Sequence, residues 1–172
     1  MKHFIRTAVV LLFLLTLLTG VLYPLVITGL AQFIFPHQAN GSLIFRDGRP
    51  AGSTLVGQAF DDPRYFWGRP SATSPLPYNA AASAASNLGP SNPERIKAVR
   101  ERIVALHAAD PDNRQPVPVD LITASGSGLD PHISPAAALY QVSRVAKARG
   151  LDEGVVRGLV LAHVRIPTQS AT

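Results

Sequence analysis

The chain has 172 residues, 47% of them hydrophobic, a formal net charge of +5 and no cysteine. The absence of cysteine excludes disulfides, thiolate metal sites, a Cys nucleophile and a lipid anchor through Cys. The mild, scattered positive charge excludes the clustered basic face that nucleic acid requires, and the length suits one folded domain of about 100–200 residues.

Residues 7–35 carry no charge, from Thr7 through Phe35. A spanning helix needs about 20 apolar residues. A cleaved signal peptide would have a shorter apolar stretch followed by a small-x-small site. Here the only candidate cut, near Gly29–Ala31, lies inside the apolar run. The expectation is an uncleaved anchor, with Pro24 kinking it by removing a backbone donor and crowding the carbonyl of Gly20. Lys2 and Arg6 flank the start closely, whereas Arg46 and Arg49 stand farther from the end. Positive-inside reasoning then puts residues 1–6 in the cytoplasm and the soluble part, residues 36–172, on the outer side. Thr16, Gly20, Pro24, Thr28 and Gln32 recur every fourth residue. Small and weakly polar residues let helices approach in lipid, so this row is a candidate face for a partner helix. The alternative is chance, since an i+4 row drifts around a 3.6-residue helix.

After the anchor, Ser42–Phe45 and Ser53–Val56 read as paired strands around an Asp47-Gly48 turn. Residues 61–93 are rich in Pro, Ser, Asn and Ala, which excludes a long helix or a central strand. Tyr65, Phe66, Trp67, Arg69, Tyr78 and Asn79 punctuate this loop. Two readings stand: a partner surface built on aromatics, or aromatics that pin the loop to its own core. Asn92 and Pro93 start a helix over 93–108, with Ile96, Val99, Ile103 and Leu106 as its apolar stripe. A short strand is expected near Val117–Thr123. Ser134 and Pro135 start a second helix that ends at Gly150, with Ala138, Val142, Val145 and Ala146 facing inward. Asp152 caps a third through Val155, Val156, Leu159 and Val160. The sum is a single membrane helix followed by a small soluble α+β domain.

Thr123–Pro135, TASGSGLDPHISP, is the segment closest to known site chemistry. A glycine-rich loop entering a helix can bind anions through backbone N–H groups. It has neither the GxxxxGK[ST] nor the GxGxxG pattern, so a tight turn is the competing reading. Ser127, Asp130 and His132 lie within six positions of one loop, which rarely builds a triad, and GSGLD is not GxSxG. The five histidines are widely separated with no HxxxH pair, so no metal site is expected. Gln141, Arg144 and Arg149 share the second helix and suit a ligand, a partner or plain solvent.

Taken together, these segments resemble the C subunits of Kdp-type potassium-transporting P-type ATPases. The matching stretches are the N-terminal span, Gly57–Phe60, Tyr65–Ala72, Tyr78-Asn79, Ser86–Pro93, Thr123–Pro135 and Gln141–Gly150. Ala84-Ala85 departs from the glycine usual before SNLGP, which leaves the local turn geometry open. The resemblance implies a non-catalytic accessory subunit in the bacterial inner membrane, single-pass, with its soluble domain periplasmic. Its implied partners are a channel-like potassium-binding subunit, a P-type ATPase subunit and a small single-span subunit, and ATP hydrolysis is expected in the ATPase partner. The family is also described as a catalytic chaperone that raises ATP affinity in that partner. On that alternative the nucleotide would meet Ser125, Gly126, Ser127, Gly128 and Gln141. An external domain and direct ATP contact are hard to combine, because ATP is cytoplasmic.

Overall fold

A computed structural model describes residues 2–165. The chain divides into two compact units, Met1–Thr54 and Leu55–Thr172.

In the first unit α1 (Lys2–Leu17), a π-helical turn (Leu18–Leu22) and α2 (Tyr23–Ile34) run as one 33-residue helix with a mean hydropathy of 2.5 in its most apolar window. At 1.5 Å per residue that is about 50 Å, longer than a hydrocarbon core of about 30 Å. None of its residues is buried within the protein. The proline consequence expected at Pro24 takes the form of the wide turn immediately before it. The N–H of Tyr23 donates to Leu18 O, five residues back. That extra residue makes room for a proline ring that would otherwise press on the preceding turn. Thr19 Oγ1 donates to Leu15 O at 2.7 Å, which pairs that hydroxyl within the helix rather than leaving it bare on the apolar surface.

After the helical turn α3 (Pro36–Ala39), strands β1 (Leu43–Arg46) and β2 (Arg49–Ser53) form an antiparallel hairpin. Asp47 and Gly48 both have positive φ, +52° and +73°. That pairing of angles fits a two-residue turn matching the strand twist, so pairing resumes at once, with Arg46 opposite Arg49. The return strand therefore starts at Arg49. The expected strand Ser53–Val56 is corrected: only Ser53 belongs to it, and Thr54–Val56 lie in a turn. The register slips between Ile44 and Phe45, opposite the segment that holds Pro50.

The second unit is helices and long loops. α4 (Pro93–Ala109) starts where expected, with Asn92 Oδ1 accepting from Glu94 N at 2.8 Å. The strand expected at Val117–Thr123 is instead a helical turn, α5 (Val119–Ile122). Pro116 and Pro118 cannot donate to a ladder. Val119 O is taken locally, by the N–H of Thr123 at 3.0 Å and its hydroxyl at 2.7 Å. The single helix expected over 135–149 is two, α6 (Pro135–Tyr140) and α7 (Val142–Arg149), jointed at Gln141. Gly150 ends α7 with φ +64°, and Asp152 caps α8 (Glu153–His163). Leu106, Leu121, Ala137 and Tyr140 form one core cluster, and Val142, Val145, Ala146 and Val156 a second. The sheet, two strands among the described residues, and the helices make the chain α+β.

Candidate functional site

Burial of a polar side chain is costly unless each of its groups is paired, and Gln141, at 1% exposure, meets that condition. Its Oε1 accepts from the N–H of Trp67 at 2.8 Å, and its Nε2 donates to Trp67 O and to Ala137 O, both at 3.1 Å. Arg144 also donates to Gln141 Oε1. The same guanidinium donates to Pro63 O at 2.6 Å and Tyr65 O at 3.2 Å, and lies 4.3 Å from the Trp67 ring centroid. Burial lowers the Arg144 pKa, partly offset by the charge of Asp110. The joint between α6 and α7 thus bolts the aromatic loop to the helices. Trp67 closes it with Nε1 on Asp62 O at 3.1 Å.

Residues 69–84 meet the glycine loop through a second set of bonds. Ser71 Oγ donates to Gly128 O at 2.7 Å and accepts from Tyr78 N at 2.9 Å. Thr73 Oγ1 accepts from Asn79 N at 3.0 Å, and Asn79 caps the turn at Ala81. Ser83 Oγ and Ala84 N both donate to Ser127 O. Gly128 has φ +70°, and a Cβ there would stand 2.7 Å from both Ala84 O and Thr73 Cγ2. Only glycine fits that backbone in that space. Arg69 Nη1 reaches Asp130 Oδ2 at 3.1 Å, while the Tyr78 hydroxyl donates to Arg69 O. Burial pushes the Asp130 carboxyl up, but bonds from His132 and Arg69 outweigh it and hold the group below the usual carboxylate range. At the exposed end of the loop, the Arg64 side chain and N–H hold Asp62 down at about 2.

The structure brings the predicted residues together in two groups. Ser125–Gly128 lie with Ser71, Thr73 and Ala84. Gln141 lies with Trp67 and Arg144, and none of its partners belongs to the glycine loop. Ser125 is buried, and Gly126 and Ser127 are exposed. The N–H groups of Gly128, Leu129, His132 and Ser134 all find acceptors within the protein. Ser134 also caps α6, a helix of six residues. Among the loop residues, Tyr65 stays outermost, with Phe60 at 5.2 Å and Arg149 at 5.1 Å from its ring. On the anchor, Gln32 exchanges hydrogen bonds with Asn40, at 3.1 and 3.3 Å, whereas Gly20 lies in the middle of the wide turn and Pro24 two residues after it. Neither Ala84 nor Ala85 has a positive φ, so alanine there is unstrained. Sequence reasoning missed the hydroxyl hubs Ser71 and Thr73 and weighed Arg144 as surface. The signal available was position: all three lie in stretches where small polar residues sit between prolines or beside Gln141.

The family model for KdpC, the c chain of the K+-transporting ATPase, matches residues 5–171. The chain belongs to the KdpC family. The potassium-transporting ATPase KdpC subunit of Polaromonas naphthalenivorans is 64% identical over 167 residues, covering 97% of this chain and 85% of that protein. The corresponding subunit of Sorangium cellulosum is 66% identical over 159 residues, covering 92% and 84%. That of Dechloromonas aromatica is 60% identical over 163 residues, covering 95% and 85%. KdpC membership makes the chain a component of a potassium-transporting ATPase, and its apolar N-terminal helix fits a membrane location.

Proposed function

We propose that this KdpC chain is a non-catalytic accessory subunit that assembles with, and stabilises, the channel-like and ATP-hydrolysing subunits of an ATP-driven potassium uptake complex. A small single-span subunit completes the set of partners. The observation that carries the reading is the saturation of Gln141. At 1% exposure its amide is held by Trp67, Ala137 and Arg144, so no part of it faces a ligand. In the glycine loop the carbonyls of Ser127 and Gly128 accept from Ser71, Ser83 and Ala84, and the N–H groups of Gly128 and Leu129 bond within the loop. These groups brace a scaffold, and ATP belongs to the ATPase partner.

The anchor lies in the bacterial inner membrane with Lys2 and Arg6 cytoplasmic and the second unit periplasmic, following the charge bias across the span. The partner-facing row of the anchor is Thr16, Gly20, Pro24, Thr28 and Gln32, where the wide turn at Leu18–Leu22 interrupts the regular helix surface.

Titrating ATP into the full-length chain in detergent, read by the fluorescence of Trp67, tests the reading, because this sole tryptophan sits on Gln141. No saturable change up to millimolar ATP is expected. A saturable response would move the assignment to nucleotide binding. Orientation is tested by Asp112→Cys on the cysteine-free chain. An impermeant thiol reagent labels intact spheroplasts if the unit is periplasmic, and labelling only after lysis reverses the orientation.

A further inference from the structure

α8 is apolar on the side that the described residues leave uncovered. Val156 is its one buried residue, and Val160 packs beside it on the second core cluster. Val155, Leu159 and Leu161 are 55%, 56% and 57% exposed, and at Gly158 nothing lies within 4 Å of where a Cβ would stand. A solvated helix ordinarily turns charged residues outward. Here the charged side chains are confined to Glu153 and Arg157, with His163 at the end.

Beside α8 lies a groove of about 960 Å³. Phe66, Ile133, Val145, Val156 and Leu159 give it a largely apolar lining. Its charged lining residues are Arg64, Arg149 and Arg165, and among the described residues no Asp or Glu lines it. Asp62 already pairs with Arg64 at 2.6 Å. Among the described residues no carboxylate comes within 4 Å of Arg149 or Arg165. Arg149 ends α7, just before α8 begins, and Arg165 follows just after α8 ends. The eleven residues of α8 therefore separate two cations by about 16 Å of helix.

We propose that the α8 face and its groove dock a peptide segment of a partner subunit that carries apolar side chains between carboxylates spaced to meet Arg149 and Arg165. Charge complementarity decides the occupant: an apolar trough with a cation at each end calls for apolar side chains with anions on either side. A peptide supplies carboxylates at that spacing, and a single lipid phosphate reaches only one arginine. The exposed Val155, one turn before Leu159 on the same face, continues the apolar surface past the groove, which suits an elongated segment in the helix-in-groove manner. This inference rests on the accessory-subunit reading and names the surface through which that subunit binds.

The test uses the complete complex, with Leu159 replaced by the photocrosslinker p-benzoylphenylalanine and, as a control, Val104, which is 67% exposed on α4. The expected result is an adduct from position 159 to an Asp- or Glu-bearing peptide of a partner subunit, at least about tenfold above position 104. Combining it with Arg149→Glu and Arg165→Glu should cut the adduct by about tenfold, two charge contacts of about 1 kcal/mol or less each. A lipid adduct alone, an adduct with a second copy of the chain, or no adduct at 159 while the chain stays in the complex overturns the proposal and leaves the accessory reading standing. An adduct insensitive to the charge reversals overturns the carboxylate assignment. If the unsubstituted chain fails to co-purify with the other subunits, the accessory reading itself falls.

Discussion

The joint at Gln141 and the outward face of α8 are inverted with respect to each other. One buries amide and guanidinium groups; the other exposes valine and leucine. Both depart from the ordinary rule of apolar inside and polar outside, and they do so for different reasons. At the joint both ends of the Gln141 amide have partners in the chain, so burial there fixes one arrangement of loop on helix. On the outward side of α8, Val155 and Leu159 have no apolar cover among the described residues, which fits the proposed contact with another protein. The polar residues that stand out in the sequence serve the scaffold, and the plain aliphatic ones are left for contact.

Breaking the joint should have the largest effect. Gln141→Leu strips acceptors and donors from Trp67 and Arg144 in a buried setting and should cost about 2–4 kcal/mol. Thermal unfolding of the full chain followed by Trp67 fluorescence measures it, and a change under about 0.5 kcal/mol would erase the contrast with α8. Gly128→Ala comes next, at about 2–3 kcal/mol by the same assay, because the new methyl meets Ala84 O and Thr73 Cγ2 at 2.7 Å on a backbone with φ +70°. Asp130→Asn should cost about 1 kcal/mol at neutral pH through its hydrogen bonds to Arg69 and His132. Its folded pKa lies below the unfolded value of about 3.9, so its stabilisation is complete above that value and fades as pH falls through the folded one. The variant should therefore show a shallower loss of stability in acid, and an unchanged acid limb would contradict the pairing. Leu159→Ser should be the mildest for folding, within about 0.5 kcal/mol, since the side chain is already 56% exposed. A large destabilisation there would mean that Leu159, like Val156, belongs to the chain's own core.

Helix starts were legible because capping is local chemistry: Asn92-Pro93, Ser134-Pro135 and Asp152 each cap the helix they announce. The hairpin turn was legible in Asp47-Gly48, but the return strand was placed too late, since Pro50 made Arg49–Ser53 look unlike a strand. The residues 117–123 carry β-branched side chains yet have no strand to pair with, and that is a tertiary fact absent from propensity. The break at Gln141 was invisible because the residues on both sides favour helix. Its cause is the distant backbone of Trp67, 74 positions away. Distance also hid the bond from Ser71 to Gly128, 57 positions away, whereas Thr73 bonds to Ser71, Leu76 and Asn79 close by, in a turn that propensity does not announce. The family membership was legible throughout, carried by motifs whose residues turn out to bond one another.

Potassium transport by the complex with and without this chain tests the central claim most directly. Cells producing the other subunits alone should show transport reduced by at least about tenfold, restored by the full chain and not by residues 36–172 alone, which lack the anchor. Full transport without the chain would contradict the account.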